Sequence, residues 1–527
     1  MASMKKGCLL LLMFTATTTV VLLYWRTMNS KPQMATTIPG LHFGELASNE
    51  TQTRGTSPVM VSNVTPGVIK ALANRTGNVT LVVVILSQAH NYHIAKANKL
   101  RLALEKELAQ EDKVYLSHEE WPFDSAWTIL PIIPDILHSH NHAGENLWLL
   151  FLEDETDVWP DKLKDLLQGF NPNEPWFLGR ASADETPSVI HQYIVGKSRP
   201  ILYPDVSTGF CLNWPALERL ERRLKAGTST IPNSFVHDPI FELAYYMNTK
   251  LTNVSRFCSW DNLKAGCATK NLKQSPQCGG GSSKTYIHFA VKICERLIER
   301  VSRSSLIWIK NVTASMVSFY TDVAPVKQMR GGKLFGQDVV IVGRNNTSPV
   351  GGCGRLYIIL QHFVNDPRFL NTHWLLIADD NTLISVKRLN DLLRCYEGDG
   401  PVVLGKRWGH GMTLGNKNAV TYPTGGAGIA INKAAAERIV HTTWIQCEDT
   451  RAADDYTLGV WLKLLAIPVI NSEAFHQAEP HQYPIEHLKR VKSVSFHPYN
   501  KANVKWDTDE WRNMRQVSMN WLNDTGD

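Results

Sequence analysis

The stretch WLLIADDNT, Trp374 to Thr382, joins an apolar strand to a cluster of polar side chains directly after it. The same pattern occurs earlier as WLLFLEDET, Trp148 to Thr156, and nine of the twenty residues from Trp148 to Leu167 are identical to the later copy. The correspondence continues through WFLGR (Trp176 to Arg180) and VVLGK (Val402 to Lys406). A repeat this long indicates a duplicated domain and not a solenoid of short units.

The pattern of apolar residues predicts an α/β fold in both copies. LVVVIL (Leu81 to Leu86) and YIHFAVK (Tyr286 to Lys292) are short apolar runs typical of buried strands, and His93 to Leu108 has helical spacing. Strands that alternate with helices predict two tandem doubly wound, Rossmann-like sheets, one in each copy.

Composition is that of a globular protein, because 527 residues are 43% hydrophobic and 20% charged. The formal charge of +6 is small for this length and there is no long basic run, so no nucleic-acid partner is expected. The length itself favours two domains with additional segments.

The N-terminus predicts a membrane anchor. Lys5 and Lys6 precede an apolar run from Cys8 to Trp25, which is about long enough to cross a bilayer. A cleaved signal peptide is the alternative, but the run is long for one, so an uncleaved type II anchor is favoured. The predicted organisation is a cytosolic tail (1–7), an anchor (8–25), a stem (26–77), a first copy (78–262), a linker (263–284), a second, catalytic copy (285–510) and a tail (511–527).

Cysteines and nine Asn-x-Ser/Thr glycosylation triplets agree with a secretory chain. Eight cysteines follow the predicted anchor, an even number that favours disulfides in an oxidising compartment. Cys258, Cys267, Cys278 and Cys294 are candidates for pairs around the junction of the copies, but spacing does not determine the pairing. No CxxC or HExxH spacing supports zinc.

Asp379, Asp380 and Asn381 follow the strand WLLIA, so their side chains are expected at its carboxyl end, where ligands bind in open α/β sheets. Oxygen ligands at such a turn suit Mn²⁺ or Mg²⁺ bound to the phosphates of a nucleotide. For an isolated pair of aspartates, a helix N-cap would be the preferred interpretation.

Three glycines in PTGGAG, Gly425, Gly426 and Gly428, predict a backbone that a sugar or phosphate approaches closely. A tight turn without a ligand is nearly as good an explanation.

A series of motifs gives the chain a family resemblance. The motifs occur in the order WLLIADDNTLISVKRLNDLL, VVLGKRWGHG, YPTGGAGIAINKAAAERI, DDYTLGVWL, PVINSEAFHQAEP and SVSFHPYN. As a set they resemble the fringe-like inverting β-1,3-glycosyltransferases over most of residues 78 to 500. The resemblance implies a GT-A type fold and a UDP-sugar donor, and it makes Cys353 a disulfide partner.

The resemblance also assigns roles to residues. Asp380 matches the donor-binding aspartate, Lys292 a lysine that contacts the nucleotide sugar, and Asp455 the catalytic base, with Asp454 beside it as a substrate-binding residue or a helix cap. Asp379 and the three glycines are expected to line the same donor site. The expected metal ligands are Asp380, Asn381 and His476, with His497 as the alternative histidine.

One residue departs from the family pattern. The family's metal site usually ends in a third aspartate, where this chain has Asn381. An amide oxygen brings no charge, so affinity for Mn²⁺ or Mg²⁺ is expected to fall.

The first copy is predicted to be non-catalytic. Glu153, Asp154 and Glu155 stand at the expected metal site and Asp238 stands opposite Asp455, but Val206 and Ser207 replace the first two glycines. Close approach of a ligand to that backbone would be obstructed. A role in binding the protein acceptor is the preferred interpretation, and a second active site is the alternative.

The resemblance implies transfer of glucose from UDP-glucose to the 3-hydroxyl of O-linked fucose on thrombospondin type 1 repeat proteins. The alternatives are a related enzyme that uses UDP-galactose or UDP-N-acetylglucosamine, and an inactive lumenal binding protein. The expected location is the membrane of the endoplasmic reticulum or the Golgi, with the bulk of the chain in the lumen.

Overall fold

The structure is a computed structural model that describes residues 78–497, with gaps at 141–145, 185–190, 192–200, 227–234, 248, 263–265, 274–277, 279–285, 304, 343–351, 399, 414 and 448–452, together with residue 521. Contacts divide the chain into Met1–Met60 and Val61–Asp527, and every described residue belongs to the second unit. The predicted anchor and stem, most of the linker and nearly all of the C-terminal tail lie outside the described residues. Within the part that is described, no helix is long and apolar enough to cross a membrane.

The strands of the first copy, in chain order, are β1 (Thr80–Leu86), β2 (Lys113–Leu116), β3 (Leu147–Glu153), β4 (Thr156–Val158), β5 (Phe177–Gly179), β6 (Ala181–Ser182), β7 (Tyr203–Pro204), β8 (Phe210–Asn213), β9 (Phe235–Val236), β10 (Thr252–Asn253), β11 (Phe257–Cys258) and β12 (Thr269–Asn271). Those of the second copy are β13 (Ile287–Lys292), β14 (Val317–Thr321), β15 (Met329–Arg330), β16 (Lys333–Leu334), β17 (Gln337–Ile341), β18 (Trp374–Asp379), β19 (Leu383–Ile384), β20 (Val403–Gly405), β21 (Arg407–His410), β22 (Val420–Pro423), β23 (Ile429–Asn432), β24 (Val469–Asn471), β25 (Phe475–His476) and β26 (Ser495–Phe496).

The α-helices are α1 (Asn91–Leu104), α2 (Ser117–Glu120), α3 (Ile133–Ser139), α4 (Pro160–Leu167), α5 (Trp214–Lys225), α6 (Pro239–Met247), α7 (Ile298–Arg303), α8 (Ser305–Ile309), α9 (Cys353–Asn365), α10 (Val386–Leu393), α11 (Lys433–Val440), α12 (Asp454–Leu464) and α13 (Ile485–Arg490). Single turns of 3-10 helix occur at Ala126–Thr128, Leu130–Ile132, Val206–Thr208, Glu295–Leu297, Ala314–Met316, Pro367–Phe369, Arg394–Tyr396 and Pro480–Gln482.

The two main sheets repeat one topology. The first has the order β2-β1-β3-β8-β5-β10, and the second contains the matching order β14-β13-β18-β23-β20-β24 with β17, β16 and β15 added at one edge. In both sheets the third and fourth of these strands are antiparallel while the first three are parallel. The fold is therefore mixed α/β in both copies, and β8 and β23 depart from the parallel direction that a Rossmann-like sheet would have. Strands buried on both faces are apolar throughout, so their sequence does not reveal their direction.

Alternate residues of the central strands supply two separate cores. In β3, Leu149 and Phe151 pack on one face of the sheet while Trp148 and Leu150 pack on the other. In β18, Leu376 and Leu375 divide in the same way. Helices cover both faces of each sheet, which explains why the strands contain almost no polar residues before their carboxyl ends.

The copies meet through polar and backbone contacts. β9 of the first copy pairs with β21 of the second and extends the β21–β22 hairpin to three strands. Gln88 accepts a hydrogen bond from the backbone N–H of Asn471 (2.7 Å) and donates one to its carbonyl oxygen (3.0 Å). The indole of Trp127 donates to Thr421 (3.0 Å).

Disulfides join Cys258 to Cys267, Cys278 to Cys395 and Cys353 to Cys447. The expectation that Cys353 forms a disulfide is confirmed. The inclusion of Cys294 among the bridged cysteines is wrong, because Cys294 is free, as is the buried Cys211. Cys278 pairs instead with a cysteine that follows α10, since pairing depends on which Cβ atoms lie within reach and not on distance along the chain.

Candidate active site

Lys292 and Asp379 end two neighbouring parallel strands, β13 and β18, and they are paired in register. The Lys292 ammonium lies 3.0 Å from an Asp379 carboxylate oxygen and donates a hydrogen bond to Asp454 over 2.7 Å. Burial lowers the pKa of Lys292, but the two carboxylates outweigh it, so that pKa is raised well above its usual value. Burial raises the pKa of Asp379, but Lys292 outweighs burial and lowers this pKa to about 2. Lys292 thus joins both carboxylates in one cluster and keeps Asp379 ionised.

Asp455 lies in the first turn of α12, next to this cluster. One of its carboxylate oxygens accepts a hydrogen bond from the backbone N–H of Gly425 (3.0 Å), and the other accepts one from that of Tyr456 (2.7 Å). Burial and the neighbouring Asp454 raise the pKa of Asp455 to about 6. A carboxylate with a pKa near 6 is a stronger base than an ordinary aspartate and is still ionised at neutral pH.

The glycines form the turn between β22 and β23. A Cβ on Gly425 would lie 3.4 Å from the Lys292 nitrogen and 3.7 Å from Asp455, so this glycine leaves space directly above the charged cluster. A Cβ on Gly426 would lie 2.5 Å from a ring nitrogen of His497, and Gly428 has a φ of +91°. Close packing explains Gly426, a left-handed turn explains Gly428, and Gly425 remains the position suited to close approach of a ligand.

Asp380 and Asn381 follow β18 and are both buried. Arg300, on α7, lies 3.0 Å from an Asp380 carboxylate oxygen. Burial raises the pKa of Asp380 to about 7 although Arg300 opposes the rise. Among the residues that the structure describes, the amide oxygen of Asn381 has no hydrogen-bond partner.

The two candidate histidines have different surroundings. His476 is buried with one ring nitrogen 3.1 Å from the carbonyl oxygens of both Ala474 and Ser495, and the other 3.1 Å from a ring nitrogen of His487. None of these contacts reaches Asp379 or Asp380, so the structure does not support His476 as a ligand in that cluster. Its hydrogen bonds make it a core residue.

His497 is the histidine that lies at the cluster. Its ring is 3.8 Å from an Asp379 carboxylate oxygen and 3.2 Å from the side-chain nitrogen of Gln477. The side-chain amide oxygen of Gln477 accepts hydrogen bonds from the hydroxyl of Thr424 (2.7 Å) and from the backbone N–H of Ala427 (2.8 Å). Gln477 therefore fixes the glycine turn and the His497 ring relative to each other.

A divalent cation fits this site by ligand type. Within the described ranges, no group of three or more histidine, cysteine and acidic residues is arranged as a metal site. An amide oxygen is outside that set of residue types, and the unpartnered oxygen of buried Asn381 is an acceptor that a cation would satisfy. Asp380, Asn381 and His497 are the residues that would hold a cation.

Arg300 and Gln477 belong to the site although the sequence does not predict them. Arg300 lies in IERVSR, which reads as an ordinary exposed helix, so no signal pointed to it. Gln477 directly follows His476 in the FHQAEP motif, and a glutamine at this place carries no pattern that marks a site.

The first copy has lost this arrangement. By strand register Leu86 pairs with Glu153 as Lys292 pairs with Asp379, so a leucine occupies the position of the lysine. Without that ammonium, burial raises the pKa of Glu153 to about 8. A carboxyl group in that state is largely uncharged at neutral pH.

Asp238, the counterpart of Asp455, has other partners. It lies 3.1 Å from a ring nitrogen of His191, whose second nitrogen lies 2.6 Å from Asp184. It also accepts hydrogen bonds from the backbone N–H groups of Ile240 (3.0 Å) and Phe241 (3.2 Å) at the start of α6. Burial opposes the change, but His191 lowers the pKa of Asp238. A weak base that is already paired is poorly suited to proton abstraction.

Sequence comparisons match the chain to known proteins. Residues 91–241 and 282–516 match the Fringe-like family. A Mus musculus protein named beta-1,3-glucosyltransferase is 34% identical over 453 residues, which cover 84% of this chain and 86% of the mouse protein. A Homo sapiens protein of the same name is also 34% identical over 453 residues, with 84% of each chain covered.

Among solved structures, the apo structure of the WbbM bifunctional glycosyltransferase covers 85% of this chain and 99% of its own at 8% identity. Its TM-score of 0.27 is too low to indicate a shared fold. The sequence matches define a glycosyltransferase. The chain belongs to the fringe-like family of these enzymes.

Proposed function

We propose that this chain is an inverting β-1,3-glucosyltransferase that transfers glucose from UDP-glucose to the 3-hydroxyl of O-linked fucose on thrombospondin type 1 repeats. The observation that carries the proposal is the Asp455 carboxylate, held by Gly425 next to the Lys292 and Asp379 pair. The names of the mouse and human relatives support glucose as the sugar and β-1,3 as the linkage.

In the proposed reaction, the acceptor hydroxyl oxygen forms a bond to the anomeric carbon of glucose. The bond from that carbon to UDP breaks on the opposite face, and UDP leaves with the electron pair, so the configuration inverts. Asp455 takes the proton of the hydroxyl. The ionised state of Asp455 at neutral pH, with a pKa of about 6, suits this step.

The donor is proposed to lie over Gly425, between Asp455 and Asp380. Asp380, which Arg300 approaches to 3.0 Å, serves there as an ionised carboxylate. Lys292 keeps Asp379 and Asp454 in position. Mn²⁺ or Mg²⁺, held by Asp380, Asn381 and His497, would stabilise negative charge on the departing diphosphate.

The proposed architecture is two tandem GT-A type domains behind a type II membrane anchor at residues 8–25. The equal strand order and directions of the two main sheets support the duplication. Leu86 and the pairing of Asp238 with His191 support a non-catalytic first domain. Three disulfides support a lumenal location in the endoplasmic reticulum or Golgi.

The test is incubation of the solubilised full-length chain with a thrombospondin repeat that carries O-linked fucose. UDP-glucose, UDP-galactose and UDP-N-acetylglucosamine are supplied one at a time with Mn²⁺, and the product is analysed by mass spectrometry and linkage analysis. We expect one hexose, from UDP-glucose only, linked β-1,3 to the fucose, and no product on the repeat without fucose. Transfer from another donor alone would contradict the proposed sugar.

Asn381 favours one alternative, an inactive lumenal binding protein, because the family's third metal-binding carboxylate is missing. The same incubation separates the two functions. If no donor gives product at any Mn²⁺ concentration while UDP still binds, the binding-protein alternative replaces the proposed one.

A further inference from the structure

A cavity of about 190 Å³ lies between the two copies, at the carboxyl ends of β1 and β3. Glu153 and Asp238 line it, and they are the counterparts of Asp379 and Asp455 in the second copy. The cavity therefore occupies the place in the first copy that the active site occupies in the second. Its opposite wall is formed by the second copy, including Lys406, Glu473 and Arg490.

Most of the charged groups that line the cavity, from either copy, are already paired. Lys406 lies 3.3 Å from Glu473. His191, whose pKa is raised to about 9 by Asp184 and Asp238 despite burial, carries a charge that those two carboxylates balance. A phosphate group would have to compete with these carboxylates for the cations, so a nucleotide is a poor fit.

Two arginines that line the cavity nevertheless have buried donors to spare. Arg490 is 4% exposed and lies 4.0 Å from Glu153, too far for a hydrogen bond. In the described part of the chain, one terminal nitrogen of Arg490 and the Nε of Arg407 have no hydrogen-bond partner. Glu153 is largely protonated at neutral pH because its pKa is about 8, so its carboxyl group offers both a donor and an acceptor. Unpartnered buried donors favour a polar occupant.

The wall also offers aromatic rings. Trp127 and Tyr203 line the cavity, and the Arg407 guanidinium lies 4.3 Å from the centre of the Trp127 ring. Rings with polar edges that stand next to arginine and carboxyl groups match a sugar, which has apolar C–H faces and hydroxyls that both donate and accept. A volume below the roughly 300 Å³ of the smaller ordinary ligand pockets limits the occupant to about one sugar ring.

We propose that the cavity between the copies is a second carbohydrate site, which binds one uncharged hexose or deoxyhexose ring of a glycan and takes no part in the transfer reaction. Arg490 and Arg407 donate to its hydroxyls, and Glu153 and Asp184 accept from them. The site uses residues of both copies, so a separated copy would not form it. The proposal does not depend on which sugar the catalytic copy transfers.

The test uses the full-length chain and saturation-transfer NMR with methyl α-L-fucoside, methyl β-D-glucoside and inorganic phosphate, each in the presence of saturating UDP to occupy the catalytic site. We expect saturable binding of at least one glycoside and none of phosphate. Arg490→Met should weaken that binding at least tenfold. Lys489→Met, an exposed lysine on the same helix, should leave it unchanged.

A second variant tests the same site in case Arg490→Met does not fold. Val206, half-buried in the cavity wall, can be enlarged in Val206→Phe to fill the space, which should abolish glycoside binding while UDP binding and the melting temperature stay as in wild type. Absence of saturable glycoside binding by the wild type means that the cavity holds only solvent. That result would overturn the proposal. So would phosphate binding by the wild type that is lost in Arg490→Met, and so would glycoside binding that UDP displaces.

Discussion

Replacement of Asp455 by asparagine tests the assigned base most directly. The substitution keeps the shape of the side chain and removes its ability to take a proton, so kcat is expected to fall by roughly 100- to 10,000-fold. Affinity for UDP should change little, because a base acts on the acceptor hydroxyl and contributes little to holding the donor.

The structure also predicts what the substitution does to stability, through two opposing effects. Both oxygens of Asp455 accept backbone N–H bonds, from Gly425 and Tyr456, and an amide can keep only one of them, a loss of about 1–2 kcal/mol. Against this, the pKa of Asp455 is raised to about 6, so holding it ionised at pH 7 costs up to ~3 kcal/mol, less in practice because the side chain is partly exposed to solvent. The two effects nearly cancel, and the melting temperature is expected to stay within a few degrees of wild type.

The wild-type pH profile provides the second half of the test. With a pKa of about 6, ~90% of the base is ionised at pH 7 and ~10% at pH 5, so kcat/KM should fall about tenfold for each pH unit below 6. Because the folded pKa lies above the unfolded one, ionisation of Asp455 removes stability as pH rises from about 4 to 6. Initial rates of glucose transfer from pH 5 to 8 measure the profile.

The matched control is Asp238→Asn at the corresponding position of the first copy. It should leave kcat unchanged, since Asp238 is tied to His191 and to the start of α6. Equal loss of turnover in both variants with folding intact, or an Asp455→Asn enzyme with near-normal kcat, would refute the assignment of the base.

Three further substitutions test the surrounding site. Asn381→Asp restores a charged ligand, so it should lower the Mn²⁺ concentration for half-maximal activity, and full wild-type activity in chelator would refute the metal assignment. Lys292→Met should lower the free energy of unfolding, measured with denaturant, by about 3–5 kcal/mol at pH 7. The loss should be smaller near pH 4, because without Lys292 the Asp379 carboxylate no longer keeps its pKa of about 2 and is able to protonate. A loss that does not depend on pH would contradict this reasoning. Gly426→Ala should cost about 1–3 kcal/mol because its Cβ would meet a ring nitrogen at 2.5 Å, whereas Gly400→Ala, with no atom within 4 Å, should be close to neutral.

The sequence predicted those parts of the site that depend on strand ends. Lys292 and Asp379 terminate apolar runs whose length and composition mark buried strands, and neighbouring parallel strands bring such residues together. Only the motif series pointed to Asp455. This residue lies at the start of a helix, and no apolar pattern in the sequence shows that the helix start lies near the ends of the strands. The mixed strand direction was outside the reach of apolar patterns, because strands buried on both faces look alike in either direction.

The choice between the two histidines depended on tertiary packing. β25 and β26 are paired in parallel, with His476 opposite Phe496. His476 is consequently buried against the ring of Phe496, with the ring centres 4.6 Å apart, whereas His497 follows the strand and reaches Asp379. His476 lies within its strand, whereas His497 is the first residue after its strand and contacts the carboxylate of Asp379. The spacing of residues along the chain does not reveal this difference.

The first copy shows which residue matters most for the loss of a site. Sequence comparison pointed to the missing glycines at Val206 and Ser207, but the register of β1 and β3 points to Leu86. In the second copy a lysine at this position keeps Asp379 ionised, with a pKa of about 2, whereas Glu153 has a pKa of about 8. The two equivalent carboxyl groups therefore differ in charge at neutral pH, because Asp379 is ionised whereas Glu153 is largely protonated. The missing ammonium group at Leu86 therefore supports the proposal that the first copy is non-catalytic.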